Sequence, residues 1–418
     1  MAATSRIVQL AQLISSNTSF IDEHIRGSGL AEPSFALDGP VEPIQTETAE
    51  LKDAKNDVIE AAIELRQLLE GPMKLLLPES NFFPLAAIYR FNIASLVPIH
   101  DAIPFAELAD KCGLLEHDLR RVIRYTASHH RVFCEPKKGF VAHTAASRLL
   151  AENPVARDLM GLTFAECLPA HAHTIDAMAQ QSGEANVSGY ALSNNTPLNT
   201  FQYLSQHPDR AQRFARAMGS AASSPGLVAL STYFDWGQLP PGSTVVDVGG
   251  SQGHVSIHLA KTFPHLQFVV QDLPEVIQGA EAKVPECVKG RITFSSHDMF
   301  TEQPVKDADV YLLRYVLHDW SDKNSVKILG KLVPSLKKGA KVVIQDHLLP
   351  EPGTMRLLQE MQIRSMDAIM LSLFNSRERE EDDWKNLFAI TDKRFVSFVA
   401  SRIKENPSTG VVFAEWSG

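Results

Sequence analysis

From residue 243 onward the sequence alternates. STVVDVG, LQFVVQDL, RITFSSHD, DVYLLRYVL and KVVIQDHLL are five short β-branched runs, each separated from the next by helix-compatible sequence. Strands this apolar are buried on both faces, and parallel neighbours need a crossover that a helix supplies. The pattern therefore predicts an α/β fold with a doubly wound, Rossmann-like parallel sheet. Two further runs, FVSFVASRI and GVVFAEW, are expected to close the sheet as a hairpin.

Ahead of that region the grammar is helical, and 418 residues exceed what one ordinary core holds. Residues 1–50 read as an arm or linker: a possible amphipathic helix, then a stretch rich in Gly, Pro and acid. ETAELKDAKNDVIEAAIELRQLLEGP has helical spacing and stops at Gly71-Pro72. Next come a helix, a turn at Gly113, a second helix, and a hairpin of RVFCEP and GFVAHT turning at Lys137–Gly139. That order is a winged helix. Residues 153–235 read as helical, with a polar break at SGEANVSGYALSNNTP and TFQYLSQHPDRAQRFARAM as one amphipathic helix. The expected domains are 1–50, 51–235 and 236–418.

Several classes are disfavoured at once. The chain is 44% hydrophobic and 21% charged, and no apolar run is long enough to cross a bilayer. Its N-terminal stretch lacks the continuous apolar segment of a secretion signal. Cys112, Cys134, Cys167 and Cys287 are scattered without a CxxC pair, so neither a disulfide framework nor a zinc knuckle is indicated, and a cytoplasmic protein is expected. A net charge of −9 argues against life on nucleic acid, although Arg120, Arg121, Arg124, Arg131, Lys137 and Lys138 form a basic patch in the winged-helix region.

VVDVGGSQGHVSIHLAKTFPHLQFVVQDLPEV is strand, glycine turn, helix, strand and acid. Gly249, Gly250 and Gly253 let the backbone turn sharply against a ligand, and Asp272 ends the second strand where it can grip a ribose diol. The spacing differs from GxGxxG, and Asp247 inside the first strand would repel a pyrophosphate. A carboxylate there suits a ligand bearing an ammonium and a sulfonium, S-adenosylmethionine.

With DVGGSQGHVS, QDLPEV, HDMF, LLRYVLHDWSD, VVIQDHLLP and LFNSRERE in this order, the chain resembles the class I small-molecule O-methyltransferases, the plant caffeic acid and flavonoid type, closest to the fungal secondary-metabolite members. The resemblance covers about residues 50–418. It implies that Gly249 and Gly250 form the cofactor turn, Asp272 takes the ribose hydroxyls and Leu273 packs beside the adenine. Asp298 and Met299 would bracket the adenine, and Arg314 stands at a basic cofactor contact. The turn departs from the family pattern at Ser251, where a glycine is usual. The resemblance further implies a homodimer through the helical winged-helix region, which also serves as a substrate lid.

A ligand crevice in such a sheet lies beyond the carboxyl ends of the strands, and His318 sits just past the fourth. Phenol has a pKa of about 10, so a base titrating near 7 helps to form the reactive oxyanion, and histidine has that value unperturbed. Asp346 and Glu378 fall where the resemblance places acids that orient the imidazole. Met366 and Met370, one turn apart on a Met-rich helix, would line the pocket of a flat aromatic or polyketide-like acceptor. No His/Cys/Asp cluster has metal-ligand spacing. Three readings follow: an O-methyltransferase, a pericyclase or dehydratase of the same fold that uses the cofactor's charge alone, and a winged-helix DNA regulator.

Overall fold

The structure, a computed structural model, describes residues 4–42, 48–77, 81–222, 226–404 and 406–418, with the side chains of 220–226 outside that description. The chain divides into two compact units, Met1–Ala165 and Glu166–Gly418.

In the first unit, α1 (Arg6–Gly27) and α2 (Ala49–Glu70) pack along one another. Leu10, Ile25, Leu51 and Ala54 are buried, and Arg6 makes a two-pronged ion pair with Glu64 at 2.7 and 2.6 Å. The front of the expected arm is thus a packed helix, and the end of its Pro/Gly stretch, 43–47, lies outside the described residues.

Further along, β1 (Ile103–Pro104), α3 (Phe105–Cys112), α4 (Glu116–His130) and β2 (Phe140–Val141) enclose a core of Phe105, Leu108, Leu119, Ile123 and Phe133. Gly113 ends α3 at φ 67°, the left-handed cap for which glycine is suited. The small sheet differs from the expected hairpin. β2 pairs with β1, and RVFCEP contributes one bridge, Cys134 to Ala142. Arg131 and Phe133 have φ of 55° and 64°, and those left-handed residues interrupt any extended run there.

In the second unit, α5 (Leu168–Ala179) and α6 (Pro208–Ala222) precede the sheet. TFQYLSQHPDRAQRFARAM is two helices, Thr200–Ser205 and Pro208–Ala222. Pro208 has no N–H to extend the first and begins the second, where that N–H would be unpaired anyway. The boundary expected at 235–236 falls inside this unit.

The sheet follows as β3 (Thr244–Val248), α7 (His254–Thr262), β4 (Gln267–Asp272), β5 (Ile292–Ser296), β6 (Val310–Arg314), α8 (Asp322–Leu332), β7 (Lys341–His347), α9 (Leu357–Phe374), α10 (Glu381–Thr391), β8 (Phe395–Arg402) and β9 (Thr409–Trp416). Its seven strands run in the order β5-β4-β3-β6-β7-β9-β8. The first five are parallel, and β9 and β8 join antiparallel as the closing hairpin.

Strand pleating divides the core. Val246, Tyr311, Leu313 and Ile344 face Ile328, Leu329 and Trp384 of α8 and α10; Val245, Val310, Leu312 and Val343 face Leu259 and Ala260 of α7. Burying each such side chain contributes about 1.5–3 kcal/mol, which is why runs apolar at every position become central strands. The chain leaves β3 in one direction to build β4 and β5, and returns to its other side to build β6 and β7. This reversal opens a crevice at the carboxyl ends of β3 and β6. No helix among the described residues is long and apolar enough to cross a membrane.

Candidate active site

The turn after β3 forms one wall of the crevice. Gly249 takes φ 72°, and a Cβ there would stand 2.9 Å from Val316 Cγ2. At Gly250 a Cβ would meet the Asp247 carboxyl carbon at 2.7 Å. Both glycine N–H groups donate to the Gln271 carbonyl, at 2.8 and 3.0 Å, locking the turn to β4. Ser251 occupies the left-handed region at φ 50°, a conformation that costs a side-chain-bearing residue about 1 kcal/mol. Its N–H donates to Asp272 Oδ2 at 2.9 Å, and Leu273 N–H donates to Oδ1 at 2.8 Å. Those bonds fix the Asp272 carboxylate, and each oxygen keeps a lone pair for a hydroxyl donor. Burial nonetheless pushes Asp272 above the usual carboxylate range.

Asp247 lies under the turn and does not face out of it. It is buried, accepts from Ser256 Oγ at 2.7 Å, and is pushed by burial up to about 6. Arg314, at the end of β6, is on the same face. Its Nε donates to Gln345 Oε1 at 2.7 Å, whereas its Nη2 is buried without a hydrogen-bond partner. A buried, unpaired guanidinium nitrogen costs free energy unless a ligand completes it. The glycine turn, the fixed Asp272 and the open Arg314 donor together fit a nucleoside ligand that carries a terminal carboxylate. Leu273 is half-exposed beside Asp272. Asp298 is exposed and caps its own turn by accepting from Phe300 N–H at 2.9 Å, and Met299 packs against the core.

β6 leads into a short turn, Leu317–Asp319, which carries His318. His318 Nδ1 is 3.0 Å from Glu378 Oε1, and both residues are buried. Asp319 Oδ1 stands 3.6 Å from the other ring nitrogen, Nε2. Burial disfavours the imidazolium, but the carboxylates of Asp319, Glu378 and Asp346 outweigh it and push His318 up to about 10. Burial would raise Glu378, yet the charge and hydrogen bond of His318 hold it below the ordinary range. Tyr315 and His347 crowd the same imidazole, with ring centres 5.5 and 6.0 Å from it.

Asp346 does not pair with His318 by a hydrogen bond. Both its oxygens are buried without a partner, and burial pushes it up to about 7. It is one methylene shorter than glutamate, and Glu378 already occupies the imidazole's Nδ1. Pleating also separates the two sets: Gln345 and Arg314 lie on one face of the sheet, and Asp346 lies with Ile344 and Leu348 on the other.

Helix α9 packs against α5 and against the turn of His318. It carries Met366, half-buried, and Met370, buried. Between them Asp367 accepts from Glu378 N–H at 2.8 Å, fixing the backbone of the acid that grips His318. Asp367, Asp319 and His347 are site groups beyond those expected from the sequence. Asp319 was visible beside His318, whereas the other two come close only through the fold. Among the described residues no group of three or more His, Cys, Asp or Glu side chains is arranged to hold a metal ion.

Comparison with known proteins gives the family of the chain. Residues 173–392 match the O-methyltransferase domain family. The chain is 45% identical over 416 residues to the grayanic acid biosynthesis cluster O-methyltransferase of Cladonia grayi, covering 99% of this chain and 88% of that one. It is 43% identical to the O-methyltransferase pyvH of Aspergillus violaceofuscus, with both chains covered completely. A solved structure described as a pericyclic reaction enzyme shares the fold, with a TM-score of 0.67 at 22% identity, over 97% of this chain and 100% of that one.

Proposed function

The chain belongs to the S-adenosylmethionine-dependent O-methyltransferase family, and we propose that it methylates a phenolic or enolic hydroxyl of a polyketide-like secondary metabolite with His318 as general base. The observation that carries this reading is the pair of His318 and Glu378, buried at 3.0 Å beside the glycine turn. When bound, the cofactor supplies an electrophilic methyl group on a sulfonium.

The chain's own residues do the rest. Gly249 and Gly250 seat the nucleoside, Asp272 takes the ribose hydroxyls, Leu273, Asp298 and Met299 flank the base, and Arg314 Nη2 meets the carboxylate. Glu378 accepts from Nδ1, which leaves Nε2 to take the acceptor's proton and stabilises the imidazolium that forms. His318 has its greatest proton affinity only while every neighbouring acid is charged. Burial pushes Asp346 up to about 7 and Asp319 up to about 6, so near neutral pH part of that charge is cancelled and the imidazole yields its proton more readily. Met366 and Met370 grip the flat acceptor, their polarisable thioethers suiting an aromatic face.

The test is incubation with methyl-labelled S-adenosylmethionine and a panel of phenols, enols and unsaturated polyketides. Label in the product supports methyl transfer. Unlabelled, rearranged or dehydrated product supports the second reading, a pericyclase or dehydratase of this fold. The high proton affinity of His318 favours that second reading, since an imidazolium donates a proton where a base would accept one.

We assign residues 51–235 to a winged-helix dimerisation and lid region, residues 1–50 to an arm leading into it, and residues 236–418 to the methyltransferase domain of a cytoplasmic homodimer. Support comes from the exposed apolar side chains of the first unit, among them Leu69, Met73, Leu76 and Phe83. A DNA role is disfavoured by the net charge and because three of the six basic residues pair with acids. Arg120 pairs with Glu116, Arg121 with Asp118, and Arg124 grips both oxygens of Glu135, whose carboxyl is held at about 2 by that bond.

A further inference from the structure

His318 sits in a turn only three residues long, which has little hydrogen bonding of its own to fix the ring. Ser325 Oγ reaches the Leu317 and Trp320 carbonyls at 3.3 and 3.1 Å, and the other bonds that fix it come from one distant stretch, Ser376 to Arg379. Arg379 is wholly buried, at 0% exposure. Its Nη1 donates to the Leu317 carbonyl at 2.9 Å, its Nη2 to the Trp320 carbonyl at 2.8 Å and to Ser325 Oγ at 3.1 Å. Its Nε donates to Asp322 Oδ1 at 2.9 Å, and the guanidinium lies over the Trp384 ring. One planar group thus grips the carbonyls on either side of His318 and Asp319. Ser376 Oγ donates to the carbonyl of His318 itself, and Glu378 takes its Nδ1.

That stretch is anchored in turn. Leu349 N–H donates to the Arg379 carbonyl at 2.9 Å, and Leu348 bridges to Arg379 in parallel register. A buried cation is costly unless it is paired and hydrogen-bonded, and here Asp322 supplies the charge while the two carbonyls and Ser325 take three of the four remaining N–H donors. Only a rigid fork reaches two carbonyls in fixed geometry; the ammonium of lysine is a point charge on a flexible stem.

Resting on the reading of His318 as the base, we infer that Arg379 is the positioning residue for that base. It sets the distance from Nδ1 to Glu378 by clamping the turn's backbone, and it makes no contact with the reacting atoms.

The test is an NMR titration of histidine-labelled protein from about pH 6 to about pH 11, with His318→Ala assigning the signal. Arg379→Lys keeps the charge and loses the fork, so His318 should release its proton about one pH unit lower, a tenfold fall in proton affinity. A thermal melt checks that the variant folds. Ser376→Ala removes a single hydroxyl and should move the titration in the same direction by less. The inference is overturned if folded Arg379→Lys titrates as the unaltered protein does. Should that variant not fold, an unshifted His318 in Ser376→Ala overturns it instead. The underlying reading fails separately: methyl transfer that survives His318→Ala removes the base role and leaves the positioning result, read by titration, intact.

Discussion

Glu378 binds Nδ1 of His318 at 3.0 Å across a sequence separation of 60 residues, which leaves Nε2 as the ring nitrogen available to an acceptor. Replacing His318 by Ala should therefore lower kcat by about 10²–10⁴-fold while cofactor affinity stays unchanged. Steady-state kinetics beside calorimetry with S-adenosylhomocysteine checks the split. Equal losses in both would mean that the imidazole belongs to the cofactor seat.

The same pair sets the direction of the pH profile. His318 must be neutral to accept a proton, and its neighbours push it up to about 10. Methyl transfer should accordingly rise from about pH 6 to about pH 9, approaching tenfold per unit while the base is the limiting group. For stability the sign is opposite. A pKa raised in the folded state contributes stability that is fully present below the ordinary histidine value and is lost as pH climbs toward about 10. An activity profile falling over this range would favour His318 as an acid.

Asp346 offers a stability test. Burial lifts it from 3.8 to about 7, so the folded protein loses stability as pH rises between those values and carries that deficit above them. Asp346→Asn should raise the melting temperature at pH 8 and leave it nearly unchanged at pH 4. A variant that is less stable at pH 8 would mean that the carboxylate has a partner which holds its charge.

Asp272 should matter to the cofactor alone. With its carboxylate fixed by the N–H groups of Ser251 and Leu273, Asp272→Ala removes both acceptors for a ribose diol. Each lost charge-assisted hydrogen bond costs about 1.5–3 kcal/mol, so calorimetry should show affinity for S-adenosylhomocysteine at least tenfold weaker. Unchanged affinity would place the nucleoside elsewhere.

The exposed apolar set on the first unit predicts an obligate two-fold dimer in sedimentation at micromolar concentration. A monomer there, or salt-sensitive binding to duplex DNA, would count against the assignment of the first unit.

How much of this was legible in the sequence depended on the range of the interaction involved. All seven strands were legible as short β-branched or apolar runs; burial on two faces leaves that trace in β3, β6, β7 and β9, whereas the edge strands β5 and β8 are largely open on one side. The break at Pro208 was equally local, but it was masked by the helical spacing on either side. The positive φ at Arg131 and Phe133 left no trace, since neither residue type prefers it. In the site, the resemblance brought His318 and Glu378 together, and the geometry agrees. It also placed Asp346 beside the imidazole, where its charge acts on His318 without a hydrogen bond between them. The grip of Arg379 on two carbonyls could not be read at all, because backbone oxygens carry no letter in a sequence.

Because the strands are pleated, Gln345 and Asp346, neighbours on β7, project from opposite faces of the sheet: Gln345 holds Arg314, and Asp346 bears on the charge of His318. Adjacent residues of β7 therefore sit in different surroundings, joined through Tyr315, whose ring lies under the Arg314 guanidinium and 5.5 Å from that of His318. A substitution that moves that ring is therefore felt by both the guanidinium and the imidazole.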